Sequence, residues 1–184
     1  MTGERTLPVS RDAAWHALND LERLRAAIPG CEAILANANG GYDVAMNAAI
    51  GPVRARFKGT MTLADVEAPH RYTLRFESQG GQAGFARGEA RIALEDGASS
   101  AQTTLRYVVA AQVGGRLAQV GSRLIDAAAA AMADQFFDRF VRELASLPQS
   151  PTAAAAAAAP GAPQPAKLGL WALVLRLLRH LHQK

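Results

Sequence analysis

The chain has 184 residues, 49% of them hydrophobic, with 20 Lys and Arg against 16 Asp and Glu and a formal net charge of +4. Lys167, Arg176, Arg179 and Lys184 lie after Ser150, whereas every acidic residue lies before it, so the excess charge belongs to the C-terminal end. A charge-balanced domain lacks the dense basic footprint that phosphate binding needs, which argues against a nucleic-acid binder, and a single cysteine, Cys31, excludes an internal disulfide.

The opening MTGERTLPVS has no apolar stretch of the kind a secretion signal carries, which predicts a cytoplasmic protein. Gly3–Val9 reads as a short strand. Ser10 is placed to cap a helix over Arg11–Leu18, and a second short helix, Leu21–Ile28, ends at Pro29-Gly30. Cys31–Ala38 and Tyr42–Ile50 read as strands joined through Asn39-Gly40-Gly41, a hairpin signal. After Gly51-Pro52 the stretch VRARFKGTMTLADV alternates: Val53, Ala55, Phe57, Met61 and Leu63 share one side, and Arg54, Arg56, Lys58, Thr60 and Thr62 the other. Arg71–Gln79 alternates likewise, with Tyr72, Leu74 and Phe76 on one side. Phe85–Glu95 and Gln102–Val113 complete the strands, separated by the turns Gly80–Gly84 and Asp96–Ser100.

From Gly114-Gly115 to Leu147 about thirty residues run without Pro and include five consecutive alanines, Ala127–Ala131, so one long helix is predicted. Ile125, Ala128, Ala129, Met132, Phe136, Phe140 and Leu144 recur at steps of three or four and define its buried face. The expected class is α+β: a curved seven-stranded antiparallel sheet wrapped around a long C-terminal helix, occupying residues 1–147.

The chemical motifs are few. Gly80–Gly88 is glycine-rich but has no Gly-Lys-Ser/Thr, so it reads as a hairpin loop rather than a phosphate cradle. Cys31 has no His or Asp spaced to activate it and reads as a small hydrophobe. His16, His70, His180 and His182 are scattered and predict no metal site. No Ser/His/Asp set or paired carboxylates emerge, so no catalytic residue is assigned and no enzyme activity is expected. Arg54, Arg56 and Lys58 form a basic stripe suited to a solvated strand face, or to docking of an acidic partner or of anionic lipid. Gly51-Pro52, Gly84–Gly88 and Gly114-Gly115 sit where strands end, and are expected to gather partly at one rim.

Four separated stretches coincide in order: Ile28-Pro-Gly-Cys-Glu32, Gly51-Pro-Val-Arg-Ala-Arg-Phe-Lys-Gly59, Gly84-Phe-Ala-Arg-Gly-Glu-Ala90, and Ala111-Gln-Val-Gly-Gly-Arg-Leu-Ala-Gln-Val-Gly-Ser-Arg-Leu-Ile-Asp126. Over roughly Met1–Leu147 they resemble the CoxG family, the G subunit of carbon monoxide dehydrogenase, which is a branch of the START-like (SRPBCC), helix-grip superfamily. The resemblance implies a sheet gripping the helix over an apolar cavity, with no tightly bound cofactor. It further implies a partner that is a molybdenum-containing hydroxylase of the carbon monoxide dehydrogenase type, recruited to the membrane, and a quinone or lipid carried as ligand. A maturation factor without a small ligand, or a START-like enzyme such as a cyclase, are the alternatives. A sheet wrapped around one helix leaves volume that side chains do not fill. The expected ligand-binding set is Phe57, Met61, Phe76, Phe85, Tyr107, Leu124, Ile125, Ala128, Met132 and Phe136.

Residues 148–166 are rich in Pro and Ala and uncharged, the composition of a flexible linker. Lys167–Lys184 reads KLGLWALVLRLLRHLHQK. On a helical projection Arg176, Arg179, His180 and Gln183 share one wedge while apolar residues fill the rest. The run before Arg176 is far shorter than the roughly 20 residues that span a bilayer. The segment is therefore expected to lie in the interface as an amphipathic anchor on the inner face of the cell membrane, the alternative being a helix that docks on a partner protein or back on its own domain. Leu170, Trp171, Leu173, Val174, Leu177 and Leu178 would be buried, and Arg176 and Arg179 would sit on anionic headgroups.

Overall fold

In a computed structural model, residues 1–146 are described. Among them the order is β1 (Thr2–Leu7), α1 (Arg11–Leu18), α2 (Leu21–Ala27), β2 (Cys31–Ala36), β3 (Tyr42–Ile50), β4 (Val53–Glu67), β5 (Arg71–Gln79), β6 (Phe85–Asp96), β7 (Thr103–Gly114) and α3 (Ser122–Ala145). The strands form one antiparallel sheet in the order β1-β7-β6-β5-β4-β3-β2. Strands β2 to β7 are a meander, and β1 closes onto β7 with Thr2 opposite Val108 and Leu7 opposite Thr103. Each hairpin pairs neighbours in sequence, which is the inexpensive way to build a sheet.

Local chemistry sets the boundaries. Ser10 Oγ accepts from the Ala13 N–H at the start of α1, and Asp20 Oδ1 accepts from the N–H groups of Glu22 and Arg23 at the start of α2. Strand β2 stops at Ala36, two residues earlier than its composition suggests, because Asn37 Oδ1 takes the N–H groups of Asn39 and Gly41 in a side-chain-closed turn.

The long helix begins later than its composition predicts. Gly115–Val120 is a 3₁₀ turn, and α3 starts only at Ser122. Gly115 (φ 71°) and Gly121 (φ 91°) bracket that turn in the left-handed region, which a continuous helix cannot accommodate. The detour buries Leu117, 2% exposed, against Phe57 and Ala83 in a small apolar cluster. A straight helix from Gly115 would forfeit that burial.

The main core lies at the other end of the molecule. Leu7, Trp15, Leu18, Tyr72, Leu94, Leu105, Tyr107, Phe137, Phe140 and Leu144 pack together there. Phe140 is fully buried, with Phe136 stacked on it at 5.5 Å between centroids, and Phe137 stacks on Tyr107 at 5.4 Å. Residue 137 is an addition to the expected buried face. Arg23 joins α2 to the end of α3: its Nη1 donates to the Glu143 carbonyl at 2.8 Å, satisfying an acceptor the helix leaves open. In contrast, no residue in the first half of α3 is buried, and Leu124 is 43% exposed. The helix is thus gripped firmly only from Phe137 onward.

Candidate functional site

Between these two apolar clusters the concave face of the sheet carries small side chains. Cross-strand register places Gly59, Ser78 and Ala86 in one row and Met61, Phe76 and Gly88 in the next. The following row is Leu63, Leu74, Ala90 and Val109. With alanine or glycine in each row and α3 packed closely only at its far end, side chains do not fill the space beneath the helix.

The result is a cavity of about 390 Å³. Its floor is the sheet: Tyr42, Met61, Leu63, Tyr72, Leu74, Ala90, Ile92, Leu105, Tyr107 and Val109. Its roof is Met132, Ala133, Phe136 and Phe137 of α3. One side is closed by the elbow between α1 and α2, through Leu18, Asn19, Leu21, Leu24, Ile28 and Pro29, and Met1 completes the wall. No Asp, Glu, Lys, Arg or His lines it. The volume falls within the roughly 300–1,000 Å³ range of small-molecule sites.

Of the residues expected from sequence, Met61, Tyr107, Met132 and Phe136 line this cavity. The other six lie elsewhere. Phe57 belongs to the small cluster with Ala83 and Leu117. Phe76 is half-buried opposite Met61 but does not reach the cavity wall. Leu124, Ile125 and Ala128 are in the first two turns of α3, where the helix stands off from the main core, and Leu124 packs by Gly51 instead. Phe85 is on the opposite, convex face. It shares parity along β6 with Arg87, Glu89 and Arg91, lies over Gly114, and is covered by the Arg87 guanidinium at 5.7 Å. Pairing parity outweighs aromatic character in deciding which face a strand residue occupies.

The cavity wall also contains residues that sequence reasoning did not single out. Leu21 and Leu24 of α2 and Ile28 just past its end keep an i, i+3, i+7 spacing, a detectable signal in too short a helix to stand out. Tyr42 begins β3 and Tyr72 is the second residue of β5, and both are buried. Burial pushes the phenols of Tyr42 and Tyr72 upward, and the proximity of Tyr42 raises Tyr72 further, so both stay protonated at neutral pH. Burial also raises the Cys31 thiol, so it is not poised as a nucleophile. Among the described residues there is no cluster of His, Cys, Asp or Glu able to hold a metal ion.

At the opposite end the glycine motifs do meet. A Cβ on Gly84 would lie within bonding range of the Gly114 carbonyl, and Gly84 has φ 104°, so the β5–β6 and β7–α3 connections touch backbone to backbone. On the convex face Arg56 pairs with Glu32 at 2.5 Å, whereas Arg54 and Lys58 have no carboxylate partner among the described residues. Residues 148–166, expected from composition to be a linker, and Lys167–Lys184, with the set from Leu170 to Arg179 expected to contact a membrane, lie outside the described residues. Among the described residues no helix is long and apolar enough to cross a membrane.

A seven-stranded antiparallel sheet curled against one long helix over an apolar cavity is the START-like, helix-grip arrangement. A START superfamily protein from Mycobacterium smegmatis superposes with a TM-score of 0.58 at 11% identity, over 79% of this chain and 96% of that one. The Zhui aromatase/cyclase from Streptomyces sp. R1128 gives 0.55 at 12% identity, over 79% and 92%. A conserved protein from Geobacillus kaustophilus gives 0.73 at 26% identity, over 78% and 93%. Among curated proteins, none matches the chain in sequence. Residues 3–145 match the CoxG family, described as the G subunit of carbon monoxide dehydrogenase, and the chain belongs to that family.

Proposed function

We propose that this chain is a non-enzymatic carrier of a hydrophobic molecule, a quinone or a lipid. In this reading it serves a molybdenum hydroxylase of the carbon monoxide dehydrogenase type at the inner face of the cell membrane. The observation that carries the reading is the apolar cavity of about 390 Å³ without a charged side chain in its wall. Such a space excludes water from a guest and gains roughly 25 cal/mol for each Å² of apolar surface the guest removes from solvent. The family's name supplies the enzyme partner, and the apolar, basic stretch Lys167–Lys184 supports a membrane anchor. The wall favours carriage over catalysis. A START-like enzyme needs groups that exchange protons near neutral pH, and the phenols here are shifted away from it.

The test is organic extraction of the full chain purified from membranes, followed by mass spectrometry. One apolar molecule per chain is expected, enriched over its abundance in bulk membrane lipid. A chain that carries none, and takes none up from quinone-loaded vesicles, would defeat the carrier reading.

A further inference from the structure

The cavity is apolar in its walls but not in its hydrogen bonding. Tyr42 is 7% exposed, Tyr72 8% and Tyr107 8%. Buried hydroxyls are ordinarily paired, because an unmade bond leaves the cost of desolvation uncompensated. None of these three hydroxyls has a hydrogen-bond partner among the described residues. Nor are they sealed in: the fully enclosed side-chain nitrogen and oxygen atoms without a partner are Arg11 Nε and Trp15 Nε1, and no phenol oxygen is among them. The hydroxyls therefore reach open space. Tyr42 and Tyr72 both line the cavity, which supplies that space.

Tyr72 is held rigidly for this purpose. Trp15 packs edge-on against its ring, with centroids 5.5 Å apart, so the phenol is fixed by the main core. The Tyr107 hydroxyl is turned toward β1, where it fills the place a Cβ on Gly3 would take. One further polar group, the Asn19 carboxamide, completes the lining; its Nδ2 is engaged with the Trp15 carbonyl at 2.8 Å. The cavity thus offers two phenolic donors and no lining cationic side chain; the Met1 ammonium at its edge is bonded to the Val109 carbonyl at 2.9 Å.

We infer that Tyr42 and Tyr72 form a recognition point for an uncharged ligand head bearing an acceptor oxygen, a carbonyl or ether, and that the apolar remainder of the ligand fills the space toward α2 and α3. Each phenol O–H donates to the ligand oxygen. A carboxylate or phosphate head is disfavoured, because it would be stripped of water without a cationic side chain to offset the loss, the Met1 ammonium being engaged by the Val109 carbonyl. This inference rests on the carrier reading and narrows the chemical class of what is carried.

The test uses the full chain and three probes of similar size: decanophenone, which presents one carbonyl; decylbenzene, which presents none; and 4-nonylbenzoate, which is anionic. Affinities are measured for the parent protein and for Tyr42→Phe and Tyr72→Phe. The expected result is that each variant weakens decanophenone by roughly two- to tenfold, the range of one hydrogen bond, and leaves decylbenzene unchanged. The carbonyl stretch of ¹³C=O-labelled decanophenone should shift to lower frequency on binding the parent and return part of the way in each variant, which a merely structural role would not produce. Loss of both decanophenone and decylbenzene equally, or no loss of either, would overturn the inference while leaving carriage intact. 4-Nonylbenzoate bound as tightly as decanophenone would also overturn it. If the parent protein takes up none of the probes, the carrier reading itself fails.

Discussion

Replacing Ala90 by phenylalanine tests whether the space above the sheet exists. Ala90 lies on β6 with Leu74 and Val109 beside it, and its methyl faces the cavity. In a close-packed core, adding a ring forces neighbours aside at a cost of about 1–3 kcal/mol. Here a cavity of about 390 Å³ is already present. Burying the ring there gains about 1.5–3 kcal/mol, less about 0.5–1 kcal/mol of side-chain entropy. Phenylalanine also suits a strand better than alanine does. The balance is a gain of about 1 kcal/mol, a rise of roughly 2–4 °C in Tm for a domain of this size. Thermal unfolding followed by circular dichroism measures the shift, and the same variant should lose uptake of a hydrophobic probe. A fall of several degrees would mean that side chains already occupy the space and that the account of the cavity is wrong.

The gripping end of α3 should respond in the opposite sense. Phe140→Ala removes a fully buried ring stacked on Phe136 and should cost about 3–5 kcal/mol, read as a drop in the urea midpoint without a change in slope. Gly121→Ala puts a side chain at φ 91° just before α3 and should cost about 1–3 kcal/mol, even though a Cβ there meets no atom within 4 Å. The alkaline limb of stability should depend on Tyr72. Its folded-state pKa lies above the ordinary value near 10, so the stability it contributes is present below pH 10 and is lost as pH climbs toward the folded value. Tyr72→Phe should flatten that alkaline limb in a pH series of urea melts and leave the slope near pH 7 unaltered.

The sheet was legible in the sequence because one face is wet. Strict alternation in Val53–Leu63 and Arg71–Glu77 marks the face of every residue, and the strands fall close to where alternation places them. Phe85 shows that parity carries more information than residue type: it alternates in step with Arg87 and Glu89, and it lies outside with them. The start of α3 was not legible. Ala-rich composition favours helix up to Gly115, and only the tertiary burial of Leu117 explains why the chain turns twice through glycines first. The cavity was half legible. Met132 and Phe136 follow from helical spacing, whereas the α1–α2 wall depends on where two short helices are pinned, through contacts such as Arg23 to Glu143 that join residues 120 positions apart.

The most direct measurement of the central claim uses the four methionines of the chain. Met61 lies on the floor of the cavity and Met132 on its roof, while Met46 packs against the separate cluster around Phe57 and Leu117. In the full chain labelled at the methionine methyl groups, titration with decylbenzene followed by NMR should shift Met61 and Met132, with intermolecular cross-peaks from both to the probe, and leave Met46 in place. Shifts confined to Met46, or cross-peaks to neither Met61 nor Met132 when the probe is bound, would contradict the assignment of this cavity as the site of carriage.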